Sequence, residues 1–433
     1  MRRFARGLLE DREFLKLWSG GFVSTLGFHV SALAMQLTAA AVLDATPFEM
    51  GLLGAAQYLP RFAFGLVAGA WVDRLRRRPL LIGADAGRAI LLATIPIAHV
   101  LGRLTIEQLY VVALGIGALN TFFEVAILSY IPGLVGRYRL LEANSRMQAG
   151  EAVAQIAGPN LAGILVQWLT APIAIGVDAV SYAVSALFIG WIRRPEPMLP
   201  SSGSRVGLWH EVIDGLRVVA AHPILLPLVA AGVNHGFFSG GIRGSLVVLY
   251  LVQLGVTPIE FGIIYGIGGA VALVGAVVAR PIAGVLGLGT TLLLANLTQG
   301  AFAAIVPLAG LFPEESRLPL LIVGQLGLGI AAPVWGINGG TLQQVVAPEQ
   351  ALGRVTATQR FAFFGIHPVG ALVGGTLAAL IGLQLTLAIA AAGVALGALW
   401  IGLTEVGRLR AMPFAQAGAE MEVEQPEPLR ARD

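Results

Sequence analysis

Twelve stretches of this chain, at roughly 14–43, 47–72, 79–101, 105–134, 139–169, 172–192, 222–253, 258–279, 286–311, 317–344, 352–382 and 384–406, run with very few ionisable side chains. A helix needs about 20 mostly apolar residues to cross the hydrocarbon of a bilayer. Charged residues make up only 12% of the 433 positions and hydrophobic ones 56%, where a soluble domain carries roughly 25% charge. A water-soluble fold cannot hide that much apolar surface, so the pattern predicts an all-α membrane protein of twelve transmembrane helices.

The loops orient it. With twelve spans both termini share one side, and that side carries Arg2, Arg3, Arg6, Arg12, Lys16, Arg74, Arg76, Arg77, Arg78, Arg137, Arg139, Arg193, Arg194, Arg205, Arg217, Arg280, Arg354, Arg408 and Arg410. The opposite side shows Arg103 and Arg317. Cations flanking spans are retained in the cytoplasm, which predicts cytoplasmic termini and explains the basic balance without nucleic acid. The first span is too long for the apolar core of a signal peptide and lacks a small-residue cleavage site, so it is expected to stay as structure. Cysteine is absent and the six histidines are scattered, which leaves no spacing for a metal site and implies no cofactor.

The longest polar interruption, "RRPEPMLPSSGSRVG" followed by "WHEVIDGLRVVAAHP", divides the chain. The reading is an N-terminal six-helix half over 1–193, a linker over 194–221, a C-terminal half over 222–406 and a disordered cytoplasmic tail over 407–433. Within the linker, Trp209, Val212, Leu216 and Val219 share a helical face, predicting a short interfacial helix. Overlaying the halves at an offset near 210 aligns "LGIGALNTFFEVAILSYIPGLV" with "LGLGIAAPVWGINGGTLQQVVAPE", and matches Pro159 and Gly163 with Pro368, Gly370 and Gly374. Duplicated halves build the central site of many secondary transporters.

Two motifs add to this. In "GAWVDRLRRRP", Gly69 is followed four residues on by Asp73 and Arg74, then by Arg77 and Arg78, with Arg76 standing where glycine is usual. This resembles the signature loop of the major facilitator superfamily; Gly69 is read as a close helix approach, Asp73 as a charge at a helix N-terminus, and Asp85 with Arg88 as a local ion pair associated with gating. In "AQIAGPNLAG", Gly158, Pro159 and Gly163 resemble the superfamily's antiporter motif, with Ala154 and Ala162 replacing two glycines. A plain kinked packing helix is the alternative for that segment. Over nearly the whole chain the sequence looks like the bacterial exporter branch that includes macrolide, tetracycline and enterobactin efflux pumps. The resemblance implies the major facilitator fold, two pseudo-symmetric six-helix bundles, as a monomer in the bacterial inner membrane, exporting a small molecule against protons. Many such relatives have an aspartate after the first-span glycine; here Gly27 is followed by Phe28.

Ionisable residues inside a bilayer are costly, about 2.5–3.5 kcal/mol on insertion scales, and mark function. In the superfamily fold spans 1, 4, 7 and 10 line the cavity, so Glu124, one turn beyond Asn120, is the first candidate for a buried, protonatable carboxylate. Glu151 is the second, on a face with Asn144, Gln148 and Gln155. His29, Gln36, Arg61, Asn234, His235, Arg243, Trp335 and Asn338 complete the candidate cavity, with Arg243 a partner for Glu124 across the halves. Asp178, with Ser181 and Ser185, falls on a peripheral span and reads as structural. Sequence motifs for an ATP-driven pump or an intramembrane enzyme are missing. The expected function is proton-coupled export of an amphiphilic drug or secondary metabolite; a facilitator, or a narrow metabolite or siderophore exporter independent of those carboxylates, is the alternative within transport, and an intramembrane enzyme or receptor the alternative outside it.

Overall fold

The computed structural model describes residues 8–72, 74–194, 196, 208–348 and 351–413, and among them there is no strand. The first six spans are Arg12–Val42, Pro47–Val72, Arg77–Val100, Ile106–Val135, Leu140–Leu169 and Ala171–Gly190. A short linker helix, Leu208–Ala221, precedes spans 7 to 12: Leu225–Gln253, Pro258–Leu286, Leu288–Ala309, Glu314–Val346, Leu352–Ile381 and Leu383–Gly402. Eleven of the twelve are long and apolar enough to cross a bilayer. Span 2 has the length, 26 residues, but carries Gln57, Tyr58 and Arg61 at mid-helix.

The duplication is built into the helix starts. Spans 5 and 6, beginning at Leu140 and Ala171, recur as spans 11 and 12, beginning at Leu352 and Leu383, 212 positions on. Spans 2 and 8 open with the same device: Thr46 and Glu49 exchange side-chain and backbone hydrogen bonds, and so do Thr257 and Glu260. Each capping box satisfies two orphan donors where the chain enters the membrane. The turn between spans 11 and 12 places Gly382 at φ +88°, and the matching turn between spans 5 and 6 forces Thr170 to φ +81°, a conformation a β-branched residue rarely adopts. This register corrects the sequence overlay. Gly163 corresponds to Gly375, not Gly374, while Pro159 and Pro368 are not equivalent, because they are the 20th and 17th residues of their helices.

The halves meet along two symmetry-related seams, span 2 against span 11 and span 5 against span 8. Both close through glycine. A Cβ on Gly51 would stand 2.8 Å from Gly375 Cα, and one on Gly163 would stand 3.1 Å from Gly262 Cα, so backbone meets backbone at the membrane end opposite the termini. At that end one continuous apolar core, including Leu33, Met50, Val166, Leu246 and Phe261, crosses from half to half. Toward the termini the core splits into clusters belonging to one half each, around Phe14 and Leu81 and around Leu228 and Leu292. The bundle is thus shut at one end and parted at the other.

Exposed Ile90, Val111, Val277 and Leu380 face outward, and Trp71, Trp168, Trp191 and Trp400 sit exposed near helix ends, a lipid face with interfacial aromatics. Gly69 does not sit at a close approach: a Cβ there meets nothing within 4 Å. Asp73 lies outside the described residues, as do 195 and 197–207 of the expected linker and the tail beyond 413. The start of that tail is ordered, since Gly289 N–H donates to Leu409 O at 2.8 Å. The linker helix packs on the start of span 11 through Gly215 and Val219, with Asp214 3.7 Å from Arg354, while Leu216 is exposed. Span 8 runs seven residues beyond its expected end, because Pro281 is accommodated within the helix. Spans 1 and 7 each carry a wide π-helical stretch, Thr38–Val42 and Gly236–Arg243, a local widening common at functional sites.

Candidate cavity and its charged residues

A cavity of about 690 Å³ opens inside the N-terminal half. Its lining, among the described residues, comes from spans 1 to 6; the expected contributions from spans 7 and 10 are absent. Gln36 lines it from span 1, Gln57, Tyr58 and Arg61 from span 2, Asn120 and Glu124 from span 4, and Glu151 from span 5.

Glu124 pairs with Arg61 of span 2 in the same half, and the Arg61 guanidinium lies 4.3 Å from the ring centre of Phe364 in span 11. The expected cross-half pair with Arg243 does not form. Nor are the two glutamates buried: the side chains of Glu124 and Glu151 are 52% and 42% exposed to the cavity. Glu151 Oε1 lies 3.3 Å from His29 Nε2 and accepts from Gln155 Nε2 at 3.3 Å. Gln148 and Gln155 are exposed and stand outside the cavity lining, as does His29, whose Cβ fills the space over Gly158. Pro159 and Gly163 serve the seam with span 8.

Deeper in, Arg88 organises a second set of charges. It pairs with Asp85, donates to Asn120 Oδ1 at 2.7 Å, and lies 4.2 Å and 4.3 Å from the ring centres of Phe123 and Tyr182. Those rings and the low exposure of Asp85, Arg88 and Asp178 (0%, 4% and 1%) make this a dry pocket at the cavity wall. Asp178, expected on a peripheral span, is not peripheral. It belongs to the lining, accepts from Ser181 Oγ at 2.8 Å and faces span 1 at Gly27, where an added Cβ would collide with its carboxyl. The spacing of Asp178, Ser181 and Ser185 signalled a polar face; what lay opposite was not visible.

The loop between spans 2 and 3 is anchored on the termini side. Arg78 donates to Ile189 O at 3.2 Å and Gly190 O, and Arg77 N–H donates to Glu196 at 2.9 Å, so spans 3 and 6 are tied where the loop turns; Arg74 is exposed.

Three polar residues of the C-terminal half have other work. Asn234 Nδ2 donates to Gly393 O at 2.8 Å, and Asn338 Nδ2 to Ala279 O at 3.0 Å, each bridging neighbouring helices. His235 stacks on Trp335, ring centres 6.2 Å apart. Arg243 sits on the π-helical stretch of span 7, its Nε buried with no hydrogen-bond partner.

Exchanging the charges of the cavity pair, Arg61→Glu with Glu124→Arg, should restore much of the transport that either single change removes. Recovery in the double variant, measured as the coupling energy of a four-way cycle, checks that the two side chains act as a pair.

Two six-helix repeats joined at one membrane end, with a cavity inside the N-terminal half, form the architecture of a membrane transporter. The chain belongs to the Major Facilitator Superfamily, whose family model matches residues 17–366. It is 26% identical over 354 residues to the multidrug efflux pump Tap of Mycolicibacterium fortuitum, covering 79% of this chain and 84% of that one. It is 23% identical over 382 residues to macrolide efflux protein A of Streptococcus pyogenes, covering 86% and 91%. In fold it is similar to a bacterial homologue of the iron transporter ferroportin in its inward-facing state, with TM-score 0.72, 16% identity, and coverage of 92% and 98%. It is also similar to a bacterial homologue of the lysosomal transporter Spinster, inward-facing and occupied, with TM-score 0.71, 13% identity, and coverage of 94% and 100%.

Proposed function

We propose that the protein is a proton-coupled exporter of small amphiphilic molecules, working as a monomer by alternating access in the bacterial inner membrane with both termini in the cytoplasm. The observation that carries this reading is the cavity itself, walled by apolar and aromatic side chains, edged by two exposed carboxylates, and set in a bundle parted toward the arginine-rich loops. With the termini inside, that parting faces the cytoplasm, where an exporter must collect its cargo. The relatives named for multidrug and macrolide efflux support the same direction. Glu124 and Glu151 are the cargo-facing charges, and their exposure suits a cation with an apolar body.

The test uses purified protein in liposomes under an imposed pH gradient, with ethidium as the probe. Ethidium should move uphill and stop when a protonophore collapses the gradient. Glu124→Gln should slow it about tenfold, the weight of roughly 1.4 kcal/mol of charge recognition. Movement that ignores the gradient would instead describe a facilitator.

A further inference from the structure

We propose that Asp178, in the buried cluster it forms with Asp85 and Arg88, binds and releases the proton that drives transport. The inference rests on the proton-coupled reading above and replaces the glutamates expected from sequence in that role.

The geometry begins with a mismatch of charge. Asp178 of span 6 faces Asp85 and Arg88 of span 3, with Tyr182 on its own helix and the hydroxyl of Ser31 from span 1. His29, the histidine of span 1, turns instead to Glu151 of span 5. One guanidinium therefore serves two carboxylates. Arg88 is committed to Asp85 and to Asn120 of span 4, leaving Asp178 the hydroxyl of Ser181 at 2.8 Å. Asp85 Oδ2 is itself buried without a hydrogen-bond partner.

With both carboxylates ionised the cluster holds a net charge of −1 away from water, which is costly unless compensated. Binding one proton on a carboxyl oxygen of Asp178 brings the net charge to zero, with no bond broken and no other group changed. A cationic cargo in the adjoining cavity supplies the same compensation. Cargo and proton therefore compete for one unit of negative charge, which is the requirement of an exchanger: the cargo arrives as the proton leaves, and a proton from the far side restores neutrality once the cargo has gone. Placement supports this role. The carboxyl stands in the contact between spans 1 and 6 at Gly27, where there is no room for a side chain, so its charge state is felt directly by the packing of span 1. Span 1 also supplies a wall of the cavity, which gives proton and cargo a shared moving part.

The experiment has two arms. In the first, infrared difference spectra of the reconstituted wild-type protein are recorded as pH is stepped, with and without carboxyl-¹³C aspartate. A titrating protonated-carboxyl band that shifts with the label, persists in Asp85→Asn and disappears in Asp178→Asn is the expected result. No label-sensitive band, or a band lost in Asp85→Asn and kept in Asp178→Asn, overturns the proposal without reference to any cargo. In the second arm, the ratio of ethidium transport with a pH gradient to that without should fall to about one in Asp178→Asn, as expected when a coupling carboxyl is removed. A ratio kept at the wild-type value overturns the proposal. Wild-type protein that moves no ethidium at all overturns the cargo reading instead, and the infrared arm then decides the proton site alone.

Discussion

Replacing Arg88 with methionine is expected to cost the folded protein about 3–5 kcal/mol, the range found when one partner of a buried ion pair is removed and the other stays behind. Three observations set the size. Arg88 and Asp85 are almost fully buried, the guanidinium also holds Asn120 at 2.7 Å, and it lies against the rings of Phe123 and Tyr182. The variant leaves two carboxylates with no cation between them. Adding Asp85→Asn to Arg88→Met should return a large part of the loss, because an amide does not carry the stranded charge. Thermal unfolding in detergent micelles, followed through the seven tryptophans, compares the four proteins. A double variant no more stable than Arg88→Met would mean that the arginine acts by packing and not by charge.

A leucine at Gly51 is expected to reduce gradient-driven ethidium transport by more than about tenfold, with alanine intermediate, as overpacking of a close contact predicts. The Cβ alone would come 2.5 Å from Ala371 O and 2.8 Å from Gly375 Cα, both main-chain atoms that cannot rotate away. Span 2 and span 11 would have to separate at the end where the structure is shut. The symmetry partner offers a check: Gly262→Leu should produce a defect of similar size, since a Cβ there comes 3.1 Å from Pro159 O and 3.2 Å from Asn160 Cα. Wild-type transport rates in both variants would show that the seams do not need to close this tightly.

The helices were legible because hydrocarbon imposes a length and a composition that few other environments do. The span expected at 47–72 is Pro47–Val72 and that at 352–382 is Leu352–Ile381. Side-chain partners were less legible, for a physical reason particular to each. Asn234 and Asn338 read as cavity residues because spans 7 and 10 are expected to line the cavity, yet an amide can equally satisfy itself on the carbonyl of a neighbouring helix, as both do. For Glu124 the expected partner is Arg243 of the opposite half, because Arg243 lies on an expected cavity span, while Arg61 of span 2 in its own half takes it. Asp178 reads as structural from sequence because span 6 is expected to be peripheral, a placement along the chain that does not reveal which face is packed. Gly27 supplied the missing half of that information, but only as an absence of side chain, and an absence gains meaning once the helix across from it is known.

The two glycine seams and the cavity occupy different residues, and this divides what natural selection can change. The joint between the halves is written in main-chain contacts at Gly51, Gly163, Gly262 and Gly375, where a larger side chain would collide with backbone. The cavity surface is written in side chains of spans 1 to 6, where substitution reshapes it without touching the joint. A lineage can therefore reshape the cavity through single replacements while inheriting the joint between the halves unaltered.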